Sequence, residues 1–136
     1  MTTLRSDEPL AVVRRHVLVV DDDRHSREGL RDALRHNGHL VETARDAWQA
    51  IQRIREHRYE VAIIDLDLPP VHGVSLSGWD VVRILRAYHP DIAIVVVTAE
   101  TDAALRAQAT ALGVTDVLEK PISPTHVGAL VSAARS

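Results

Sequence analysis

Three compact apolar runs in the chain each end in polar or acidic residues. His16-Val17-Leu18-Val19-Val20 runs into Asp21-Asp22-Asp23, and Val61-Ala62-Ile63-Ile64 into Asp65-Leu66-Asp67. Ile92-Ala93-Ile94-Val95-Val96-Val97 runs into Thr98-Ala99-Glu100. The runs are unbroken rather than alternating, which predicts strands covered on both faces. Two weaker runs, over 39–43 and 115–118, complete a set of five. Between them the apolar spacing turns helical. Residues 24–36 place Leu30, Ala33 and Leu34 on one stripe, and Asn37-Gly38 supplies a stop. Residues 46–57 start at an acidic cap, Asp46, and repeat Ala47, Ala50, Ile51 and Ile54. Residues 78–88 carry Val81, Val82 and Leu85 and stop before Pro90. An Ala-rich stretch over 102–112 ends at Gly113, and 124–134 follows Ser123, a further cap. Five strands alternating with five helices predict an α/β fold, a doubly wound five-stranded parallel sheet. Residues 1–15 read as a mobile polar tail, 16–136 as the folded domain, and 69–77 as the one long loop.

Composition narrows this little. At 136 residues there is room for one domain. With 46% hydrophobic and 26% charged residues the chain is ordinary for a soluble globular protein. A net charge of −3 argues against a nucleic-acid surface, and the absence of Cys excludes disulfides, thiolate metal sites and thiol catalysis. No apolar run approaches the ~18 residues needed to span a bilayer, and the first 15 residues hold no apolar signal core. One count stands out: of the 16 basic residues, Lys120 is the only Lys. Codon bias toward Arg explains the scarcity, but not why a Lys survives just before Pro121.

The chemistry collects where a doubly wound sheet binds ligands, at the carboxyl ends of its strands. Asp21, Asp22 and Asp23 follow the first strand, Asp65 and Asp67 the third, Thr98 the fourth and Lys120 the fifth. Crowded carboxylates repel one another and call for a counterion. Oxygen donors without His or Cys suit a hard cation, Mg²⁺ foremost. An ammonium and a hydroxyl nearby would hold phosphoryl oxygens, with Asp65 as the carboxylate nucleophile of a phosphoryl transfer. Each part has a plainer alternative: Asp23 as a helix cap, Thr98 as a strand residue, Lys-Pro as a common dipeptide. Their joint order on one sheet edge is what carries weight.

These residues resemble the receiver domain of two-component response regulators over roughly 16–135. Val19-Val20-Asp21-Asp22-Asp23 is similar to that family's first strand and acidic pair, and Ile63-Ile64-Asp65-Leu66-Asp67-Leu68-Pro69 to its phosphoacceptor segment. Val97-Thr98-Ala99-Glu100 resembles the hydroxyl position, and Lys120-Pro121 the Lys that precedes a cis peptide bond. The resemblance implies a flavodoxin-like fold with strand order 2-1-3-4-5. It implies that Asp65 accepts a phosphoryl group from the phosphohistidine of a sensor histidine kinase or a histidine phosphotransfer protein. Asp22, Asp65 and the backbone carbonyl of Asp67 would ligate Mg²⁺, with Asp21 acting through water. Lys120 would pair with Asp65 and then with a phosphoryl oxygen, and Thr98 would shift toward the phosphoryl group. Self-catalysed phosphorylation and dephosphorylation, rather than turnover as an enzyme, and a cytoplasmic location follow from the same resemblance. The partners implied are the kinase and a downstream protein or effector domain, with a homodimer admitted, and no nucleic acid or membrane contact by this chain. Output through the fourth helix would expose Leu105, Arg106 and Ala109.

Two departures qualify the resemblance. Three residues before Lys120 the family usually has Tyr or Phe, whose ring swings inward on activation; here it is Val117. A binding-only receiver without a phosphorylation-driven switch is therefore one alternative. The second departure is the stretch from Pro70 to Gly78, roughly five residues longer than the family's usual run to a Gly-aromatic-acid helix start, here Gly78-Trp79-Asp80. It reads as a tolerated insertion, or as a lid or partner contact. A haloacid-dehalogenase-like phosphatase would also use Asp65-Leu66-Asp67, Thr98 and Lys120 in that order. That class needs a further acidic motif after the Lys, and has Thr where Pro69 stands.

Overall fold

A computed structural model describes residues 14–134 apart from 72 and 74. Most of the predicted tail, residues 1–13, lies outside the described residues. Arg14 and Arg15 are tied to the body: Arg14 donates to the Gly38 carbonyl at 3.2 Å, and Arg15 pairs with Glu60 at 3.2 Å.

The ten elements run β1 His16–Val20, α1 Arg24–His36, β2 Leu40–Ala44, α2 Ala47–Glu56, β3 Val61–Asp65, α3 Gly78–Tyr88, β4 Ala93–Thr98, α4 Ala103–Ala111, β5 Asp116–Glu119 and α5 Pro124–Ala133. All strands are parallel, in the order β2-β1-β3-β4-β5, as the resemblance implies. The unbroken apolar runs are explained by two cores, one on each face of the sheet. Leu18, Val20, Ala62, Ile64, Ile94 and Val96 point to one face, where Ala50 and Ile54 of α2 and Val81, Val82 and Leu85 of α3 cover them. Val17, Val19, Ile63, Val95 and Val97 point to the other, under Leu30 and Leu34 of α1 and Val127 and Val131 of α5. Fully burying each of these Val, Leu and Ile side chains contributes roughly 1.5–3 kcal/mol, so both faces are anchored by the same strands.

Each helix starts on a side-chain cap that satisfies an otherwise orphaned N–H. Asp23 accepts from Ser26, Asp46 from Gln49, Ser77 from Asp80, Asp102 from Leu105 and Ser123 from His126. The Asp80 carboxylate returns a bond to the Ser77 N–H, completing a capping box. Asp23 is therefore the cap anticipated from sequence.

The expected output face of α4 needs a correction. Ala109 is its one buried residue and Leu105 packs against the core, so these two form the inward stripe. Only Arg106 of the three faces outward, because residues 105 and 109, one turn apart, are the only stripe of this Ala-rich helix with apolar bulk to bury.

Candidate functional site

The parallel register brings four strand ends to one edge. Val20 lies beside Ile64, Asp65 beside Val97, and Thr98 beside Glu119, so Asp21 and Asp65 share a level, Thr98 stands one residue further and Lys120 two, all at the same edge. Asp65 closes β3 at the centre of the sheet and is 2% exposed. A carboxylate so placed must have every lone pair engaged or neutralised. Its Oδ2 accepts from the Lys120 Nζ at 2.9 Å, and its Oδ1 from the backbone N–H of Asp67 at 2.8 Å. Lys120 also lies 3.7 Å from Asp67 Oδ2. Burial works against the Lys120 ammonium, but the Asp65 hydrogen bond and the charges of Asp65, Asp67 and Asp21 outweigh it and hold its pKa above the usual value. The Lys120–Pro121 peptide bond is cis.

Asp21 and Asp22 occupy the turn after β1. Asp21 accepts from the Asp23 N–H at 2.9 Å. Its pKa is pushed up to about 6, by burial first, with Asp65 and Asp22 adding repulsion that the Asp23 bond and Lys120 only partly offset. Arg27, on the first turns of α1, donates to the carbonyls of Asp21 and Asp22 at 2.9 and 3.4 Å, which fixes the turn from behind. Asp21, Asp22 and Asp65 each present a carboxylate oxygen within 4.8 Å of the others. That all-oxygen, anionic set fits a hard divalent cation.

Thr98 is 4% exposed, and its hydroxyl donates to the Glu100 carbonyl at 3.0 Å, bracing the loop after β4. Its own carbonyl accepts from the Lys120 N–H at 2.9 Å, tying β4 to the Lys. The Asp67 carboxylate crosses to the same loop and accepts from the Ala99 N–H at 2.9 Å. The candidate site residues Asp21, Asp22, Asp65, Asp67, Thr98 and Lys120 thus all lie at this edge. Arg27 and Gly78 were missed. Gly78 approaches Asp65 so closely that a Cβ there would lie 2.5 Å from the Asp65 carbonyl oxygen. The Gly-aromatic-acid helix start was a signal for the residue, but nothing in one dimension signals that approach.

A groove of about 470 Å³ opens beside the cluster, lined by Asp21, His25, Leu30, Lys120, Ile122 and Pro124 among others. Among the described residues no helix is long and apolar enough to cross a membrane.

The sequence model of the response regulator receiver domain matches residues 17–132. The chain belongs to the response regulator receiver family. A curated relative, response regulator MprA of Mycobacterium sp. (strain KMS), is 37% identical over 107 residues, 79% of this receiver and 44% of that protein. The MprA of Mycobacterium ulcerans gives the same figures. This receiver therefore spans less than half the length of these relatives. Among solved structures, a CheY-like receiver domain protein from Methanospirillum hungatei superposes with a TM-score of 0.75 at 21% identity, over 83% of this chain and 86% of that one, a likeness of fold. A response regulator protein from Burkholderia pseudomallei, solved with a phosphorylated aspartic acid, a calcium ion and citrate, gives 0.76 at 26% identity, over 86% of this chain and 66% of that one. Receivers are signalling domains of two-component systems rather than conventional enzymes, and the phosphatase alternative finds no support.

Proposed function

We propose that this receiver takes a phosphoryl group on Asp65 from the phosphohistidine of a sensor histidine kinase or phosphotransfer protein, in the cytoplasm, and passes the signal to a downstream protein or effector domain. The observation that carries the reading is the setting of Asp65: a buried carboxylate with a lone ammonium at 2.9 Å and two more carboxylates beside it. A structural ion pair needs no Asp21 and Asp22 crowded against it. A phosphoacceptor does, because those carboxylates hold a cation.

In the transfer an Asp65 oxygen attacks phosphorus, the N–P bond of the donor breaks, and the imidazole nitrogen leaves with its electron pair and is protonated. Asp21, Asp22, Asp65 and the Asp67 carbonyl are the groups that would hold Mg²⁺, Asp21 through water. When bound, the ion neutralises charge on the transferring group. Lys120 orients Asp65 and then holds a phosphoryl oxygen with a point charge. The groove between α1 and the start of α5 offers room for the donor's imidazole. Val117 has no ring to swing, so the outward signal runs through the Thr98 hydroxyl: on leaving the Glu100 carbonyl it frees the loop that leads into α4. The same machinery would later hydrolyse the acyl phosphate, so the domain acts on itself and turns over no other substrate.

Mass spectrometry after incubation with acetyl phosphate and Mg²⁺ tests this. One phosphoryl group is expected on the wild type and none on Asp65→Asn. An unlabelled wild type, or equal labelling of the variant, refutes the reading.

A further inference from the structure

The Asp67 side chain does something that its backbone role does not require. It folds back across the sheet edge so that Oδ2 takes the Ala99 N–H at 2.9 Å while lying 3.7 Å from the Lys120 ammonium. A backbone N–H and an ammonium converging on one anionic oxygen form an anion slot. This slot adjoins the acceptor, since the same ammonium is 2.9 Å from Asp65. Its occupant is the chain's own carboxylate, held on a side chain that is 47% exposed and so free to swing out into water.

Among the described residues, three donors placed to receive a phosphoryl oxygen here are already engaged. Lys120 is shared by Asp65 and Asp67, the Ala99 N–H is taken by Asp67, and the Thr98 hydroxyl by the Glu100 carbonyl. An acyl phosphate on Asp65 would place dianionic oxygens beside the Asp67 carboxylate and compete for its two donors. Like charges at this range repel strongly, so both cannot stay.

We infer that the Asp67 carboxylate is a resident stand-in for the phosphoryl group, occupying the Ala99–Lys120 slot until phosphorylation of Asp65 expels it. It acts as a positioning residue that lowers the affinity of the empty site for a phosphoryl group and holds the loops after β3 and β4 together in the resting state. Expulsion of Asp67 frees the β4 loop at Ala99 as the Thr98 hydroxyl frees it at Glu100. This rests on Asp65 being the phosphoacceptor.

The test is a graded series, wild type, Asp67→Asn and Asp67→Ala, titrated with beryllofluoride in saturating Mg²⁺, with amide hydrogen exchange at Ala99 as second readout. Asn keeps an acceptor but no charge; Ala keeps neither. Affinity should rise in the order Asp, Asn, Ala, about tenfold or more from first to last, the size of one lost competing contact. Without beryllofluoride, the Ala99 amide should exchange faster in Asp67→Ala than in the wild type. Equal gains in Asn and Ala would mean a general charge effect and overturn the slot. So would unchanged affinity, or equal exchange at Ala99. A wild type that takes neither beryllofluoride nor phosphate would overturn the phosphoacceptor reading and this one with it; a wild type that labels normally confines any failure to Asp67.

Discussion

Replacing Gly78 with Ala sets two magnitudes against each other beside Asp65. Gly78 opens α3, and its backbone lies against the end of β3. A Cβ added there would sit 2.5 Å from the Asp65 carbonyl oxygen, 2.6 Å from Leu66 Cα and 3.2 Å from the Asp65 carbonyl carbon. Ordinary contact begins at 3.4 Å, so α3 and β3 must separate by roughly 0.9 Å, and only backbone is available to move. Overpacking of this kind costs about 1–3 kcal/mol. The Ala gains at most about 1 kcal/mol of helix propensity, less at a first-turn position. The net expectation is a loss of about 1–2 kcal/mol. Gly29→Ala is the matched control, because nothing lies within 4 Å of a Cβ in the middle of α1. It should gain about 0.5–1 kcal/mol. Urea unfolding followed by circular dichroism reads both midpoints. Because the displaced atoms belong to Asp65 and Leu66, Gly78→Ala should also slow labelling by acetyl phosphate. A Gly78→Ala protein as stable as Gly29→Ala would refute the close-approach argument.

Two further perturbations follow from named contacts. Arg86 donates to the carbonyls of Leu112, Pro90, Ile92 and Gly113 at 2.6–3.0 Å, tying the ends of α3 and α4 to the start of β4. Arg86→Ala should cost about 2–4 kcal/mol in urea unfolding, with Lys recovering only part, since one ammonium cannot span four carbonyls; a loss below about 1 kcal/mol would contradict the clamp. Asp21, with its pKa raised from 3.8 to about 6, stabilises the metal-free fold below pH 4 and loses that contribution as pH rises through 6. A cation needs the ionised form, so Mg²⁺ affinity by calorimetry should fall about tenfold per pH unit below 6 and level off above it; equal affinity at pH 5 and 7 would refute the coupling.

What the sequence made legible follows from what each feature depends on. β1, β3 and β4 were readable because a strand buried on both faces must be apolar at every position. The helices were readable because each cap and apolar stripe lies within a few residues of the next. Asp21, Asp22, Asp65, Thr98 and Lys120 were readable because strand ends, once ordered, share an edge. The features that escaped depend on distances between segments far apart in the chain. Asp67 reaches Ala99 across 32 positions, and Arg86 reaches Gly113 across 27. The inward face of α4 escaped for a different reason: in AALRAQATA Leu105 is the only large apolar side chain, so no repeat of apolar spacing marks the stripe it begins.

The lone Lys closes the electrostatic argument. Asp21, Asp22, Asp65 and Asp67 place four carboxylates at one edge, and among the described residues Lys120 alone of the basic side chains touches two of them, Asp65 at 2.9 Å and Asp67 at 3.7 Å. Arg27, behind the turn after β1, donates to the backbone carbonyls of Asp21 and Asp22. One ammonium cannot balance four carboxylates; under the proposed function a dication would raise the positive charge to three, and phosphorylation of Asp65 would make the edge more anionic again. The excess falls on the one carboxylate that is neither buried nor in the cation cluster, Asp67. Repulsion on phosphorylation would then act on the Asp67 contact with the loop after β4. An Arg at position 120 would add no charge to this balance, and its broad planar fork would crowd the slot between Asp65, Asp67 and Ala99 that a compact ammonium leaves open.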